Sequence, residues 1–213
     1  MMVYILGFDP SKYTGWSLYS PDRRKADGNY SHVQCGILEM PEKADMYYTA
    51  DQIGLKVTAL VRRIKTELGI KPDFAVLEQQ IEAQVSMQGR GQSFAGSISP
   101  WVASSAIVAT LSNHGIPYGT LMPSSWRKSF FGASFKPPID SKGKKDWKSA
   151  AVDECERLGI QLPKKKTLAH NAAESCALAI SYGARDMKVH AGRYHEPWLN
   201  LIQARNERAE VAA

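Results

Sequence analysis

This sequence predicts an α/β fold in which a mixed five-stranded sheet is flanked by helices, and three observations carry that prediction. Three strand-length segments, residues 3–9, 15–19 and 33–40, follow one another near the amino terminus with Gly and Asn punctuation between them. A long stretch with apolar residues at helical spacing comes next. Two further strand-length segments, 74–77 and 117–122, then alternate with helical sequence, giving the order βββαβαβ before a helical remainder.

Residues 3–9 form an apolar run ending in an acid, Asp9, and the next two segments read as the rest of a meander. Over residues 43–68 the apolar positions Ile53, Val57, Leu60, Val61 and Ile64 predict a helix, with Gly69 as its C-cap. The short buried-type strand 74–77 stops at Glu78, and residues 86–97, rich in Gly, Ser and Gln, read as loop or helix entry. Ser99-Pro100 predicts an N-cap followed by proline at the first helical position, with the helix running to His114-Gly115. Residues 125–131 and 144–158 read as helices. Residues 167–185 read as a small-residue helix packing closely along Ala173, Cys176, Ala177 and Ile180. One domain over residues 1–186 is expected, with 187–213 as a polar tail in which 203–210 read as a short helix.

The 213 residues suffice for one core, and 44% hydrophobic with 23% charged residues is a globular composition. A formal charge of +6 and a pI near 9.2 suit a polyanionic partner, because lysines and arginines that replace phosphate counterions gain affinity from their release. Cys35, Cys155 and Cys176 are odd in number, far apart in sequence and in no CxxC pair, which fits a reduced setting better than a disulfide framework or zinc site. With no targeting pattern and no apolar run of membrane length, a soluble cytoplasmic protein with no membrane partner is expected. The phosphate-binding GxxxxGK[ST] loop, HExxH, GxSxG and the kinase signatures are all missing, which leaves ATP use, zinc proteolysis and serine hydrolysis without support.

Asp9 and Glu78 end the first and fourth strands, so if those strands are neighbours the two acids meet at one sheet edge. Each taken alone reads as an ordinary strand-end residue beginning a turn. Together they repel unless a divalent cation neutralises them. A third acid comes from His170-Asn171-Ala172-Ala173-Glu174, where Asn171 and Glu174 at i,i+3 share a helix face. Basic residues gather nearby in sequence: Arg127 and Lys128 follow Trp126, while Lys142, Lys144, Lys145 and Lys148 flank Trp147. Arg90, within Gly89-Arg90-Gly91, is a further candidate for phosphate contact, and Lys164–Lys166 reads as a solvated helix face.

Ile5-Leu6-Gly7-Phe8-Asp9-Pro10 followed by Thr14-Gly15-Trp16 resembles the opening of RuvC-type Holliday junction resolvases, in which the acid begins the active site and the glycine turns the chain back. Ala75-Val76-Leu77-Glu78-Gln79 resembles their second acidic strand, and residues 170–179 resemble their final Asp-x-x-Asp helix. The order of these motifs agrees from about residue 3 to residue 185. The resemblance implies a ribonuclease H-like fold and a homodimer that resolves four-way and other branched DNA junctions. It implies Asp9, Glu78, Asn171 and Glu174 as the metal site for two Mg²⁺ or Mn²⁺ ions, with phosphodiester hydrolysis leaving 5′-phosphate and 3′-hydroxyl ends. Arg127 and Lys145 fall where the family's basic residues face the scissile strand.

Two departures qualify this. Asn171 stands where the family has a carboxylate, so His170 is a second candidate as ligand or base, and replacing Asn171 by Asp is expected to raise metal-dependent cleavage. Ile81 stands nearest the family's aromatic wedge, with Phe94 the next aromatic. Two alternatives therefore stay open beside the resolvase: a broader branched or flap DNA nuclease, and a catalytically weak junction-binding protein. Ala103, Ala106 and Ile107 are candidates for core or dimer seam, with core preferred.

Overall fold

The computed structural model describes residues 2–23, 28–40, 45–80 and 94–183, the side chains of residues 94–98 excepted. Arg90, Ile81 and the tail 187–213 lie outside the described residues. The elements run β1 Ile5–Asp9, β2 Tyr13–Tyr19, a 3-10 turn Pro21–Arg23, β3 Gln34–Glu39, α1 Met46–Leu68, β4 Phe74–Glu78, α2 Phe94–Asn113, β5 Tyr118–Leu121, α3 Pro123–Phe131, α4 Trp147–Arg157 and α5 Lys166–Gly183. The sheet order is β3-β2-β1-β4-β5, antiparallel across β1, β2 and β3 and parallel from β1 through β4 to β5. This is the mixed five-stranded sheet that the segment order predicts.

Strand periodicity divides the core between the two faces. Leu6, Phe8, Trp16, Leu18, Ala75 and Leu77 are buried with α1 and α2. Ile5, Tyr19, Phe74 and Val76 are buried with α3, α4 and α5 on the other face. Along β1 and β4 the second set shares its parity with Asp9 and Glu78, so both acids face α5. Asp45 caps α1 by accepting a 2.7 Å hydrogen bond from the Tyr48 N–H, and Gly69 ends that helix at φ 67°, as its position in the sequence predicts.

Several expectations need correction. Helix α2 begins at Phe94, so Pro100 lies inside it rather than at its first position. The missing N–H falls within the first two turns, where the loss of one hydrogen bond is tolerated by a helix anchored further along by Ala103, Ile107 and Leu111. Ala103 and Ile107 are core residues, and Ala106 packs against that core. Helix α4 starts at Trp147, capped by Asp146, because residues 139–145 form a turn closed by a bridge between Ile139 and Lys145. The three cysteines, distant in sequence, come together in space: the Cys35 thiol donates 3.3 Å to the Gln161 carbonyl and the Cys155 thiol 3.6 Å to the Ala173 carbonyl, and the neighbouring Cys176 together with burial pushes the Cys35 thiol up. Among the described residues no helix is long and apolar enough to cross a membrane.

Gly15 corrects the motif reading most sharply. It does not turn the chain; it pairs with Asp9 and Ile37 in the middle of β2. A Cβ there would fall far inside contact distance of the Asn171 carbonyl, and one at Gly7 would do the same to the Ser175 carbonyl. Both glycines lie beneath α5. The Ser17 hydroxyl donates 2.8 Å to the Ser175 carbonyl between them, so two missing side chains and one short polar one let α5 approach the sheet.

Candidate active site

Three elements deliver three acids to one place. Asp9 ends β1 and is buried; Glu78 ends the parallel neighbour β4; Glu174 lies one turn into the buried stretch of α5 that begins at Asn171. Burial foremost, then Glu174 and Glu78, pushes the Asp9 carboxyl well above its ordinary value, while Lys148 and Arg127 pull the other way. Burial also raises Glu78, opposed by a hydrogen bond from Trp126 and by Arg127 and Lys148. Glu174 is pushed up to about 7, chiefly by burial and then by Glu78, against Lys148 and Arg127. The charges of three acids thus act on one another in a poorly hydrated pocket.

Two cations answer them. An Arg127 guanidinium nitrogen is 3.8 Å from Glu174 Oε1, and Lys148 Nζ is 3.7 Å from Glu174 Oε2. Arg127 is held between two indoles, with its Cζ 5.1 Å from the ring centroids of both Trp126 and Trp147. Its Nε is buried without a hydrogen-bond partner. Lys148 Nζ also donates 3.2 Å to Asn171 Oδ1.

Asn171 is tied inward on its other side. Its side-chain N–H groups donate 2.6 Å to the Tyr13 carbonyl and 3.2 Å to Ser11 Oγ. Because a peptide carbonyl only accepts, the amide orientation is fixed, and an aspartate would set oxygen against oxygen. His170 has an unpartnered, buried Nε2, and its pKa is lowered by burial first and then by Lys148, with Asp146 opposing. Lys128, Lys142, Lys144 and Lys145 are exposed. Lys142, Lys144 and Lys145 sit on the braced turn before α4, where Asp140 Oδ1 accepts from the Lys142 and Lys144 N–H groups at 2.8 and 2.7 Å. The lysine that reaches the acids is Lys148, two residues past the cap Asp146 in the first turn of α4. Trp126 as a partner of Glu78 was not legible in the motifs; its one signal was a large aromatic directly before Arg127 in the short helix α3.

The donor set suits hard divalent cations, being anionic oxygen short of compensating charge. Among the described residues no group of three or more His, Cys, Asp or Glu side chains is placed as it stands to hold a metal ion. An open arrangement suits Mg²⁺, which keeps waters and takes one or two carboxylates plus substrate oxygens.

No protein-family model matches the sequence, and neither does any curated protein. Solved structures do match. Thermus thermophilus RuvC in complex with a Holliday junction substrate superposes with a TM-score of 0.57 at 14% identity, covering 84% of this chain and 92% of that one. The chain has the RuvC fold. A second structure of Thermus thermophilus RuvC gives 0.54 at 13% identity over 84% of this chain and 93% of that one. The yeast mitochondrial Holliday junction resolvase Ydc2 matches at 0.47 and 13% identity over 85% and 78%. At such identity the likeness to RuvC lies in the path of the backbone.

The raised Glu174 pKa has a measurable consequence. A carboxyl that holds its proton more tightly folded than unfolded contributes stability that is complete below its unfolded value, near 4.5, and is lost as pH rises through about 7. In chelator, the native protein is therefore expected to lose on the order of 3 kcal/mol between pH 4.5 and 7.5 relative to Glu174→Gln. Urea melts of both proteins at the two pH values check it; parallel pH dependence would show that Glu174 titrates normally.

Proposed function

We propose that this chain is a divalent-metal-dependent endonuclease that cuts branched DNA, four-way junctions foremost, and works as a homodimer. The observation that carries this reading is the meeting of Asp9, Glu78 and Glu174 on the α5 face of the sheet, beside Arg127 and Lys148. The fold adds support, since the RuvC structure it resembles is bound to a Holliday junction substrate. A twofold dimer would match the paired strands of such a junction.

Asp9, Glu78 and Glu174 would hold Mg²⁺ or Mn²⁺, which when bound neutralises the scissile phosphate and acidifies an attacking water. Arg127 offers a fixed charge to a phosphate oxygen, because its two indole neighbours hold the guanidinium in place. Lys148 is freer, with more than half of its side chain exposed, and can turn from Glu174 to the DNA. Lys142, Lys144 and Lys145 extend the positive surface outward, where contacts position DNA without reading sequence. Arg127→Ala and Lys145→Ala should each reduce the salt dependence of junction binding by roughly one unit of log–log slope. Unchanged slopes for both would place them outside the DNA surface.

The hydrogen bonds of Asn171 favour a different role for it from that of a metal ligand. Its donors hold the β1–β2 turn and its oxygen holds Lys148, so it acts here as a clamp. Asn171→Asp should therefore lower stability by roughly 1–3 kcal/mol at pH 7 and give no gain in cleavage, the reverse of what the motif alone predicts. A more active variant of equal stability would restore the motif reading.

The deciding experiment is an end-labelled mobile four-way junction incubated with Mg²⁺, Mn²⁺ or chelator, alongside flap and linear duplex substrates. Metal-dependent, symmetric cuts in the junction alone are expected. Equal cutting of flaps would favour the broader nuclease. Binding without cutting in either metal would leave a junction-binding protein.

A further inference from the structure

We infer that Trp126 is a positioning residue that fixes Glu78 for metal and at the same time holds Arg127 in place, an inference that rests on the metal-site reading above. Trp126 is fully buried near the start of α3. Its indole Nε1–H donates 2.7 Å to Glu78 Oε2. An indole nitrogen only donates, and a buried one left unpaired is costly, so the carboxylate is the partner that satisfies it. The bond is short and charge-assisted, which restricts the Glu78 carboxyl to one rotamer and leaves its second oxygen for other work.

The same indole is anchored and loaded from other sides. The Trp126 carbonyl accepts 3.2 Å from the Ser181 hydroxyl on α5, so this tryptophan ties α3 to the helix that carries Glu174. Its ring packs against the Arg127 guanidinium at 5.1 Å, and the Trp147 ring lies at the same distance from that guanidinium. Arg127 in turn reaches Glu174. One rigid side chain thus touches an acid from β4 and the cation that faces the acid from α5. A phenylalanine could supply the apolar packing; only the N–H explains the contact with Glu78.

The role is tested by a cycle of Trp126→Phe and Glu78→Gln, with Mn²⁺ affinity read from the electron paramagnetic resonance signal of free Mn²⁺. Trp126→Phe is expected to weaken Mn²⁺ binding about tenfold in the native chain, as losses of outer-shell partners do. In the Glu78→Gln background it should change affinity less than about twofold, because its partner is already gone. Equal losses in both backgrounds would overturn the positioning role and leave Trp126 as packing. Unchanged Mn²⁺ binding in Glu78→Gln alone would overturn the metal-site reading, and this inference with it. A measurement on the unaltered protein guards against a variant that does not fold. Among the indole N–H resonances of its five tryptophans, that of Trp126 should shift with added Mg²⁺ while that of Trp16, on the opposite sheet face, stays. An unmoved Trp126 resonance at saturating metal would likewise overturn the inference.

Discussion

Asp9→Asn should abolish junction cleavage, by about a thousandfold or more, and leave junction binding within about twofold. The carboxylate would contribute one of the charges that hold the divalent ions, and Lewis-acid stabilisation of several kcal/mol corresponds to that loss of rate. In the proposed reading phosphate contacts would come from other residues, so affinity should survive. The same substitution should raise the melting temperature in chelator, because it removes a buried carboxyl that burial, Glu174 and Glu78 all oppose in its charged form. Added Mg²⁺ should stabilise the native protein and not the variant, since only a native state that binds the ion gains from it. Cleavage assays, binding curves and melts with and without metal check all three. Retained cleavage would remove Asp9 from the site, and a lower melting temperature in chelator would show that its carboxylate has a structural partner.

Gly15→Ala should cost about 3 kcal/mol or more of stability, and cleavage should fall with it even where the fold survives. The new methyl group would be driven into the Asn171 backbone carbonyl, which a rotamer change cannot move aside. Helix α5 must then lift from β2, carrying Glu174 away from Asp9 and breaking the Asn171 bonds to Tyr13 and Ser11. Gly132→Ala is the control. That position is also glycine, at φ 89°, but a Cβ there meets nothing within 4 Å, so its cost is the backbone strain alone. Urea titration of both variants separates the two effects; a Gly15→Ala protein as stable as Gly132→Ala would refute the close approach of α5.

Much of this fold could be read in the sequence because its signals are local. The apolar runs of residues 3–9 and 74–77, buried on both sheet faces, the spacing of Ile53, Val57, Leu60, Val61, Ile64 and the cap at Gly69 each depend on neighbours a few residues away. The start of α2 was misread for the same reason: Ser99-Pro100 satisfies a local start rule, whereas packing along Ala103, Ile107 and Leu111 supports a longer helix.

The sequence by itself determined that two acids end two strands and a third sits in a small-residue helix, because strand termination and helix spacing are properties of a few consecutive residues. The parallel register of β1 and β4, which only the structure supplies, then turns Asp9 and Glu78 to the same face. Only the tertiary structure decided that Lys148 reaches Glu174, that Asn171 spends its donors on Tyr13 and Ser11, and that Trp126 holds Glu78. Those contacts join residues 26, 158 or 160, and 48 positions apart. Their geometry depends on how closely α5 sits on β2 and where the turn before α4 leads, and no short window of sequence contains either distance.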